Sequence, residues 1–396
     1  MTEAPALSIP DAPLLSDAGL RAVWAAVPSA RVVGGAVRDT LLGAPVADID
    51  LATPLPPAAV MAALTEAGLG AKPTGIAHGT VTAVAAGRGY EITTLRRDLA
   101  TDGRRAVVAF TEAWREDAAR RDFTLNALSM DRAGGVHDYW GGIADLRAGR
   151  VRFVGDPAAR IAEDYLRILR FFRFFARFGR VAPDDATLAA LRAGVPGLSR
   201  LSAERVRHEM LGLLAAPDPM PALLLMERLG VLAALLPRGV SLAAVARLVA
   251  AGAPAAPLLR LRALAGDDPD LPARLRLSLG EARHLAALRV PAPPASADAG
   301  TLRRALAELD PRLADTVLME RAWLADDGAG SHAAQRAALA GLARPVFPLA
   351  GRDLRRLGMT PGPEIGRKLA AVRAWWLAGG CVADRSACLA RLREVA

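Results

Sequence analysis

The chain has 396 residues, and 50 lysine and arginine residues against 41 aspartate and glutamate residues give it a net charge of +9. This length is sufficient for two or three domains with cores of their own. No uninterrupted run of 18 apolar residues occurs, so we expect no membrane-spanning helix. The N-terminal sequence lacks the basic segment and apolar core of a secretion signal, which predicts a cytoplasmic protein. The excess of positive charge favours acidic partners.

The first part of the chain alternates between predicted strands and helices. Five segments have the short hydrophobic or alternating pattern of strands: 31–33, 48–53, 80–86, 90–95 and 107–110. Two segments have a helical pattern: 36–42 and 56–67. The strands at 80–86 and 90–95 are separated only by a glycine-containing turn, which is typical of a hairpin.

Strand patterns fade after Asp156, which stands before Pro157 as an N-cap stands before a proline at the first helical position. From there the pattern is helical, with its clearest interruption at 291–296. The sequence therefore predicts an α+β multidomain protein, in which a small head with a mixed β-sheet precedes an all-helical part. We predict four domains, namely a head, a neck, a body and a tail: 1–155, 156–200, 201–290 and 291–396.

A glycine turn followed by paired acids is the most informative stretch. Gly34 and Gly35 stand between a predicted strand and a predicted helix, where bare backbone N–H groups approach an anion, and Arg38 follows one turn later. Asp48 and Asp50 share one face of the next strand, about 6.6 Å apart. Two such carboxylates suit divalent cations, and Mg²⁺ shares oxygen ligands with substrate phosphates. Each part alone is common in turns and solvated strands, but the combination is rare.

Residues 156–180 predict one amphipathic helix. Its apolar face comprises Ile161, Tyr165, Ile168, Leu169, Phe172 and Phe175. Its charged stripe comprises Glu163, Asp164, Arg167, Arg170, Arg173 and Arg177. The acids in this stripe are too few to neutralise four arginines, so we expect uncompensated positive charge that suits a triphosphate or an RNA backbone. The alternative is a solvated face whose ion pairs contribute about 0.2–0.5 kcal/mol each.

Five motifs in this order resemble one family of enzymes. They include Gly-Gly-Ala-Val-Arg-Asp with Asp-Ile-Asp, Arg-Arg-Asp-Phe-Thr-Leu-Asn-Ala, and Glu-Asp-Tyr-Leu-Arg, and they lie at 33–50, 120–128, 138–145, 163–167 and 201–206. The chain resembles the polymerase-β-like nucleotidyltransferases, and more closely the class II tRNA CCA-adding enzymes and bacterial poly(A) polymerases.

The resemblance implies an enzyme that adds CCA to tRNA 3′ ends from CTP and ATP, releases pyrophosphate and uses no nucleic-acid template. It implies that Asp48 and Asp50 are catalytic and hold Mg²⁺, and that Asp164 and Arg167 pair with the incoming base. The implied nucleotide-binding residues are Gly34, Gly35, Arg38, Arg121, Asn126, Asp164, Arg167, Arg170 and Arg173. Asn126 is the only asparagine in the chain. The helical body and tail are expected to bind tRNA.

Three alternatives stay open at this point. The same motifs fit a bacterial poly(A) polymerase or an enzyme that adds only CC or only A. A non-catalytic RNA-binding protein is disfavoured by the intact Asp48 and Asp50. Glu91, on the strand after the hairpin turn, is a candidate third carboxylate, and the charged segment 96–105 is expected to be a mobile loop near the active site. The sequence makes no prediction of the oligomeric state.

Overall fold

The computed structural model of the protein describes residues 4–101 and 106–395. The chain divides into two compact units, Met1–Pro237 and Arg238–Ala396. This division falls inside the predicted body, and the four predicted domains stay a prediction. The prediction of a charged loop at 96–105 is wrong for Arg96–Thr101, which form a strand that pairs with Ala106–Phe110, and residues 102–105 lie outside the described residues.

An eight-stranded mixed sheet forms the centre of the first unit, in the order β1-β10-β9-β2-β3-β6-β5-β4. The strands are β1 (Leu7–Ser8), β2 (Arg31–Val33), β3 (Asp50–Thr53), β4 (Gly70–Gly75), β5 (Thr80–Ala85), β6 (Arg88–Thr94), β7 (Arg96–Thr101), β8 (Ala106–Phe110), β9 (Leu128–Met130) and β10 (Gly135–Asp138). Strands β3 and β6 run parallel, and the neighbouring pairs β2–β3, β5–β6 and β4–β5 run antiparallel. Strands β7 and β8 form a separate antiparallel pair.

Helices of the first unit pack on both faces of this sheet, and the later ones pack against one another. They are α1 (Ala18–Ala26), α2 (Gly35–Leu41), α3 (Pro57–Glu66), α4 (Trp114–Ala119), α5 (Gly142–Ala148), α6 (Pro157–Glu163), α7 (Leu166–Phe178), α8 (Asp185–Gly194), α9 (Ala203–Leu214), α10 (Met220–Arg228) and α11 (Val231–Leu235). Helices α1 and α3 pack against β5 through a shared apolar core that includes Leu20, Val60, Val81 and Ile92. The predicted α+β architecture is confirmed.

The hairpin of β5 and β6 is tighter than the sequence pattern predicts. Its turn consists of Ala86 and Gly87, which both have positive φ angles, of 50° and 75°. Two such residues give the turn a twist that matches that of the flanking strands. Strand β4, which pairs with β5, is not predicted, because Pro73 and two glycines interrupt the strand pattern. Its place at the edge of the sheet explains why proline is tolerated there.

Helices make up the regular structure described in the second unit. They are α12 (Leu242–Ala250), α13 (Pro257–Ala265), α14 (Leu271–Arg274), α15 (Leu279–Ala287), α16 (Ala299–Glu308), α17 (Ala314–Ala325), α18 (Ala333–Ala340), α19 (Gly351–Arg356), α20 (Pro363–Ala378) and α21 (Arg385–Glu394). Trp376 and Val372 on α20 pack with Cys388 and Leu392 on α21 in a core of their own. Across residues 4–101 and 106–395, no helix has both the length and the apolar composition needed to cross a membrane.

Candidate active site

The turn from β2 into α2 depends on glycine. Gly34 has φ 68° and ψ −125°, a conformation that side-chain-bearing residues avoid. A Cβ atom at Gly34 would also lie 3.1 Å from Nη1 of Arg121, and one at Gly35 would lie 3.5 Å from Nη2 of Arg38. Gly34 therefore lets the Arg121 guanidinium approach the backbone at the start of α2, whereas the distance at Gly35 is an ordinary van der Waals contact.

Three carboxylates lie beside this turn. Asp50 is the first residue of β3, and Asp48 precedes the strand, which begins two residues later than predicted. Glu91 lies directly opposite Asp50 on the parallel strand β6. Residues paired in this way point to the same face of a sheet, with Cα atoms about 5 Å apart. All three carboxylates are exposed, so the candidate third carboxylate lies next to the predicted pair.

The electrostatics of Asp50 reflect this crowding. Partial burial raises the pKa of Asp50, and the negative charges of Glu91 and Asp48 raise it further, while Arg121 opposes them. No hydrogen bond or ion pair neutralises Asp48, Asp50 or Glu91 within the described chain. Carboxylate oxygens that repel one another are suitable ligands for a divalent cation. Such a cation binds carboxylates and takes water and phosphate oxygens at its remaining coordination positions. Within residues 4–101 and 106–395, no group of three or more His, Cys, Asp or Glu side chains is arranged to hold a metal ion.

A chain of polar contacts connects the glycine turn to helix α7. Arg38 is buried, and its Nη1 donates to Oδ1 of Asn126 at 2.7 Å. The Asn126 amide in turn donates to Oδ1 of Asp122 at 3.1 Å, and Nε of Arg170 donates to Oδ2 of Asp122 at 2.6 Å. Burial acts to raise the pKa of Asp122, but Arg170 and the Asn126 hydrogen bond hold it below the usual aspartate value. The structure thus brings residues of two sequence motifs, Arg38, Asn126 and Asp122, into one network with Arg170 of the arginine stripe.

Aromatic rings pack against Arg38 and Arg170 of this network and against the neighbouring Arg173. The Arg38 guanidinium lies 4.6 Å from the centre of the Phe178 ring and 5.5 Å from that of Phe174. Arg170 and Arg173 also lie over Phe174, at 5.5 and 5.2 Å. Cation–π contacts of this kind stabilise a guanidinium group while its N–H donors stay directed at other groups.

The predicted uncompensated charge on the arginine stripe is wrong for three of its four arginines. Arg170 pairs with Asp122, and Nε of Arg173 lies 2.9 Å from Oε2 of Glu209 on α9. Arg167 pairs with Glu163. The helical periodicity located the arginines correctly but carried no information about carboxylates from other elements. Arg177, exposed and stacked on Phe178, is the member for which the described residues show no carboxylate partner.

The single helix predicted for residues 156–180 is also wrong. Helix α6 ends at Glu163, Asp164 has an extended backbone, and α7 begins at Leu166. The Asp164 side chain causes this break in part, because its Oδ1 accepts a hydrogen bond from the backbone N–H of Leu166 at 3.0 Å and so starts the second helix.

The two residues predicted to read the base have different partners. Oδ2 of Asp164 accepts a hydrogen bond from Nη2 of Arg205 at 2.6 Å. Nη1 of Arg167 contacts Glu163 and donates to the backbone oxygen of Arg160 at 2.6 Å. Asp164 and Arg167 therefore lie one turn apart, each held by a neighbour rather than by the other.

Three partners of the candidate site residues were given no role by the sequence analysis, although one of them, Arg205, lies in the motif at 201–206. Asp117 on α4 is buried and holds Arg121 at 3.2 Å, Arg205 holds Asp164, and Glu209 holds Arg173. Burial lowers the pKa of Arg121, while Asp117 acts to raise it. Arg205 and Glu209 share a face of α9, one turn apart, and this spacing after the Leu-Ser-Ala-Glu-Arg motif was the signal that could have linked them.

Comparison with known proteins places this geometry in a family. The Poly A polymerase head domain model matches residues 30–152, and the model described as the probable RNA and SrmB-binding site of polymerase A matches 181–241. The CCA tRNA nucleotidyltransferase 1 of Danio rerio, a mitochondrial protein, is 35% identical over 365 residues, which cover 87% of this chain and 83% of the relative. The chain belongs to the CCA tRNA nucleotidyltransferase family.

Bacterial members of the family are similar as well. The CCA-adding enzyme of Geobacillus thermodenitrificans is 41% identical over 201 residues, half of this chain and 48% of that enzyme. This chain is also similar to the crystal structure of the Bacillus stearothermophilus CCA-adding enzyme in complex with CTP, with 27% sequence identity and a TM-score of 0.69. The match covers 96% of this chain and 98% of that enzyme. The fold of this family therefore extends over almost the whole chain.

Proposed function

We propose that the protein adds CCA to the 3′ ends of tRNA, using CTP and ATP, releasing pyrophosphate and using no nucleic-acid template. The observation that carries this proposal is the group of Asp48, Asp50 and Glu91 beside the Gly34 turn in a chain of this family. The 3′-hydroxyl of the tRNA attacks the α-phosphate of each nucleotide in turn. Such phosphoryl transfer depends chiefly on positioning and on neutralisation of charge.

Asp48 and Asp50 are proposed as the ligands of Mg²⁺, with Glu91 as a third carboxylate. The mutual repulsion of these groups and the raised pKa of Asp50 support this assignment. When bound, the ion supplies Lewis-acid activation of the attacking hydroxyl and of the leaving pyrophosphate. Asp50 accomplishes its part by presenting an ionised carboxylate from the rigid end of β3.

The triphosphate is proposed to bind at the start of α2. Gly34 and Gly35 leave the backbone accessible there, and Arg121 lies 3.1 Å from the position that a Cβ of Gly34 would take. Arg38 is held by Asp39 and Asn126 and stacks on Phe178. We propose that it keeps its remaining N–H groups directed at the phosphates and keeps Asn126 near the sugar.

Asp164 and Arg167 are proposed to recognise the base, and Arg170 and Arg173 to border the nucleotide. An aspartate accepts hydrogen bonds and an arginine donates them, so the two side chains complement the Watson–Crick edge of C or A. Arg205 and Glu163 hold the two side chains in the described conformation, and recognition then requires only a small change in these two contacts.

The wider assignments rest on the same family membership. The helical neck, body and tail, with the predicted boundaries at 156, 201 and 291, are proposed to hold the tRNA. The cytoplasm remains the predicted compartment, although the Danio rerio relative is a mitochondrial protein. A bacterial poly(A) polymerase or an enzyme that adds only CC or only A is the second candidate, because its motifs are the same.

Incubation with a tRNA transcript that ends before CCA, together with labelled CTP, ATP or both, tests the function. We expect two additions with CTP alone, three with both nucleotides, and products that stop there. A homopolymer of A on unstructured RNA would instead identify a poly(A) polymerase, and RNA binding without incorporation would identify a non-catalytic protein. Asp50→Asn is the inactive control, and Glu66→Gln, an exposed acid at the end of α3, is its matched counterpart.

A further inference from the structure

One row of side chains crosses four strands of the large sheet, starting from the catalytic carboxylates. Asp50 on β3 pairs with Glu91 on β6, Glu91 pairs with Thr82 on β5, and Thr82 pairs with Lys72 on β4. Residues paired across neighbouring strands lie on the same face of a sheet, with strands about 4.8 Å apart. The Cα atom of Lys72 therefore lies about 14 Å from that of Asp50, on the same face.

On β6, β5 and β4 this face is exposed at Glu91, Lys72 and Thr74, and helices α1 and α3 pack on the opposite face. At β2 and β3 the same face is covered, because Trp114 of α4 packs against a cluster that includes Ala52. The exposed part on β6, β5 and β4 is called the open face.

Along β5 the residues alternate between buried Val81 and Ala83 and partly exposed Thr80 and Thr82. On β5 the open face therefore carries the hydroxyl groups of Thr80 and Thr82, with Val84 as its apolar member. The hydroxyl oxygens form two cross-strand contacts, Thr74–Thr82 at 2.7 Å and Thr80–Thr93 at 3.0 Å.

Lys72 ends the row as an exposed positive charge. Only two lysines occur in the chain, and the other, Lys368, lies 3.7 Å from Glu364. For Lys72 the described residues provide no hydrogen-bond acceptor and no carboxylate partner. An exposed lysine beside a row of hydroxyls complements a sugar–phosphate backbone, since the lysine neutralises a phosphate and the hydroxyls bind its oxygens or a ribose 2′-hydroxyl.

The order of the strands determines which substrate reaches this face. The proposed triphosphate site at Gly34 follows β2, and α2 packs against β2 and β9. Strands β6, β5 and β4 lie on the other side of β3. In an in-line transfer, the attacking hydroxyl and the leaving pyrophosphate lie on opposite sides of the α-phosphate. With the pyrophosphate toward α2, an in-line attack favours an RNA 3′ end on the side of β6, β5 and β4.

We propose that the open face of β6, β5 and β4 binds the sugar–phosphate backbone of the single-stranded 3′ end of the RNA substrate, with Lys72 on a phosphate upstream of the terminal nucleotide. This inference rests on the proposed function and specifies which surface holds the RNA strand at the carboxylates. Lys72 is a positioning residue in it, because it acts on the substrate backbone away from the reacting atoms.

Steady-state kinetics of Lys72→Ala, with a tRNA that lacks CCA as substrate, test the proposal. We expect the KM for RNA to rise about three- to tenfold, since one phosphate contact is lost. The KM for CTP and the kcat at saturating RNA stay unchanged. The slope of log KM for RNA against log salt concentration decreases by about 0.7, the value for one phosphate of a single strand. Lys72→Arg keeps the charge and is expected to keep the KM of the wild type.

Arg132→Ala is the matched control, because Arg132 is an exposed basic residue in the turn between β9 and β10. Lysines at sheet edges also prevent edge-to-edge association, so the oligomeric state of each variant is measured by light scattering. If Lys72→Ala and Arg132→Ala change the KM for RNA equally, or if Lys72→Ala changes only association, the proposal is overturned. If the wild type adds CCA in the same assay, such a result overturns only the role of Lys72 and leaves the proposed function intact.

Discussion

The carboxylates at β3 and β6 and the arginines of α7 are two charged regions built in opposite ways. Asp48, Asp50 and Glu91 are exposed and have like charges as neighbours. Arg170 and Arg173 are each paired with a carboxylate and packed on Phe174. The first group is electrostatically incomplete without a cation, whereas the second is already ordered before a nucleotide arrives. Ordering groups in advance lowers the entropic cost of binding.

The largest effect is expected from Asp50→Asn. We expect kcat to fall by about three orders of magnitude, since the variant loses a proposed ligand of the cation at the reacting phosphate. Burial and neighbouring acids raise the pKa of Asp50 in the folded protein, so its ionisation opposes folding as pH rises. The thermal unfolding temperature of the variant at neutral pH should therefore equal or exceed that of the wild type.

Single-turnover addition measures the loss of activity, and calorimetry of the same preparation measures the unfolding temperature. Glu66→Gln, which removes one exposed acid on α3, should change neither quantity. Wild-type turnover by Asp50→Asn would contradict the assignment of the carboxylates.

Asp122→Asn should have the largest effect on the ordered region. The variant leaves Arg170 without its nearest carboxylate, and loss of one member of this partly buried ion pair costs about 2 kcal/mol in the free energy of unfolding. Because the pKa of Asp122 is lowered in the folded protein, its contribution is present above the ordinary aspartate pKa and disappears as pH falls through the lowered value. The free energy of unfolding measured in urea should be lower for the variant than for the wild type by a constant amount near neutral pH. This difference should become smaller in acid.

The matched control is Glu394→Gln, which removes the partner of Arg391 in an exposed pair. Exposed pairs contribute little to stability, so its free energy of unfolding should change by less than about 0.5 kcal/mol. Equal destabilisation by the two variants would mean that the Asp122 network is no more important than a surface pair.

A smaller effect is expected from Arg205→Ala, which releases the Oδ2 atom of Asp164. We expect kcat/KM for CTP and for ATP to fall about tenfold, because a displaced Asp164 loses the proposed alignment with the base. Unchanged KM for RNA would locate the defect in nucleotide recognition. Arg228→Ala, an exposed arginine at the end of α10, is the control, and equal kinetics for the two variants would remove Arg205 from base recognition.

The smallest effect is expected from Arg177→Ala at the exposed end of the stripe. Arg177 stacks on Phe178 and is the stripe arginine with no carboxylate partner in the described residues. We expect the free energy of unfolding to change by less than about 0.5 kcal/mol and kcat to change by less than about twofold. A loss comparable to that of Arg170→Ala would show that the ordered part of the stripe extends to its last turn.

Local sequence patterns predicted the elements that depend on nearby residues. The glycine turn, the strand at β3 and the β5–β6 hairpin follow from glycine positions and alternation, and the structure confirms them within about two residues. The break at Asp164 was not predicted, because its side chain replaces a helical contact by accepting from the Leu166 N–H. The helical pattern of the flanking residues continues across the break and conceals it.

The sequence by itself determined the α+β architecture, the family and the residue types of the candidate site, because turns, alternation and ordered motifs are local properties of the chain. Only the tertiary structure decided which charges meet. Glu91 joins Asp50 through the register of two parallel strands, and Asp122 reaches Arg170 across 48 positions. Lys72 comes onto the face of the carboxylates through the order of four strands. Such long-range pairings depend on the packing of the whole unit, so they cannot be predicted from the spacing of residues along the chain.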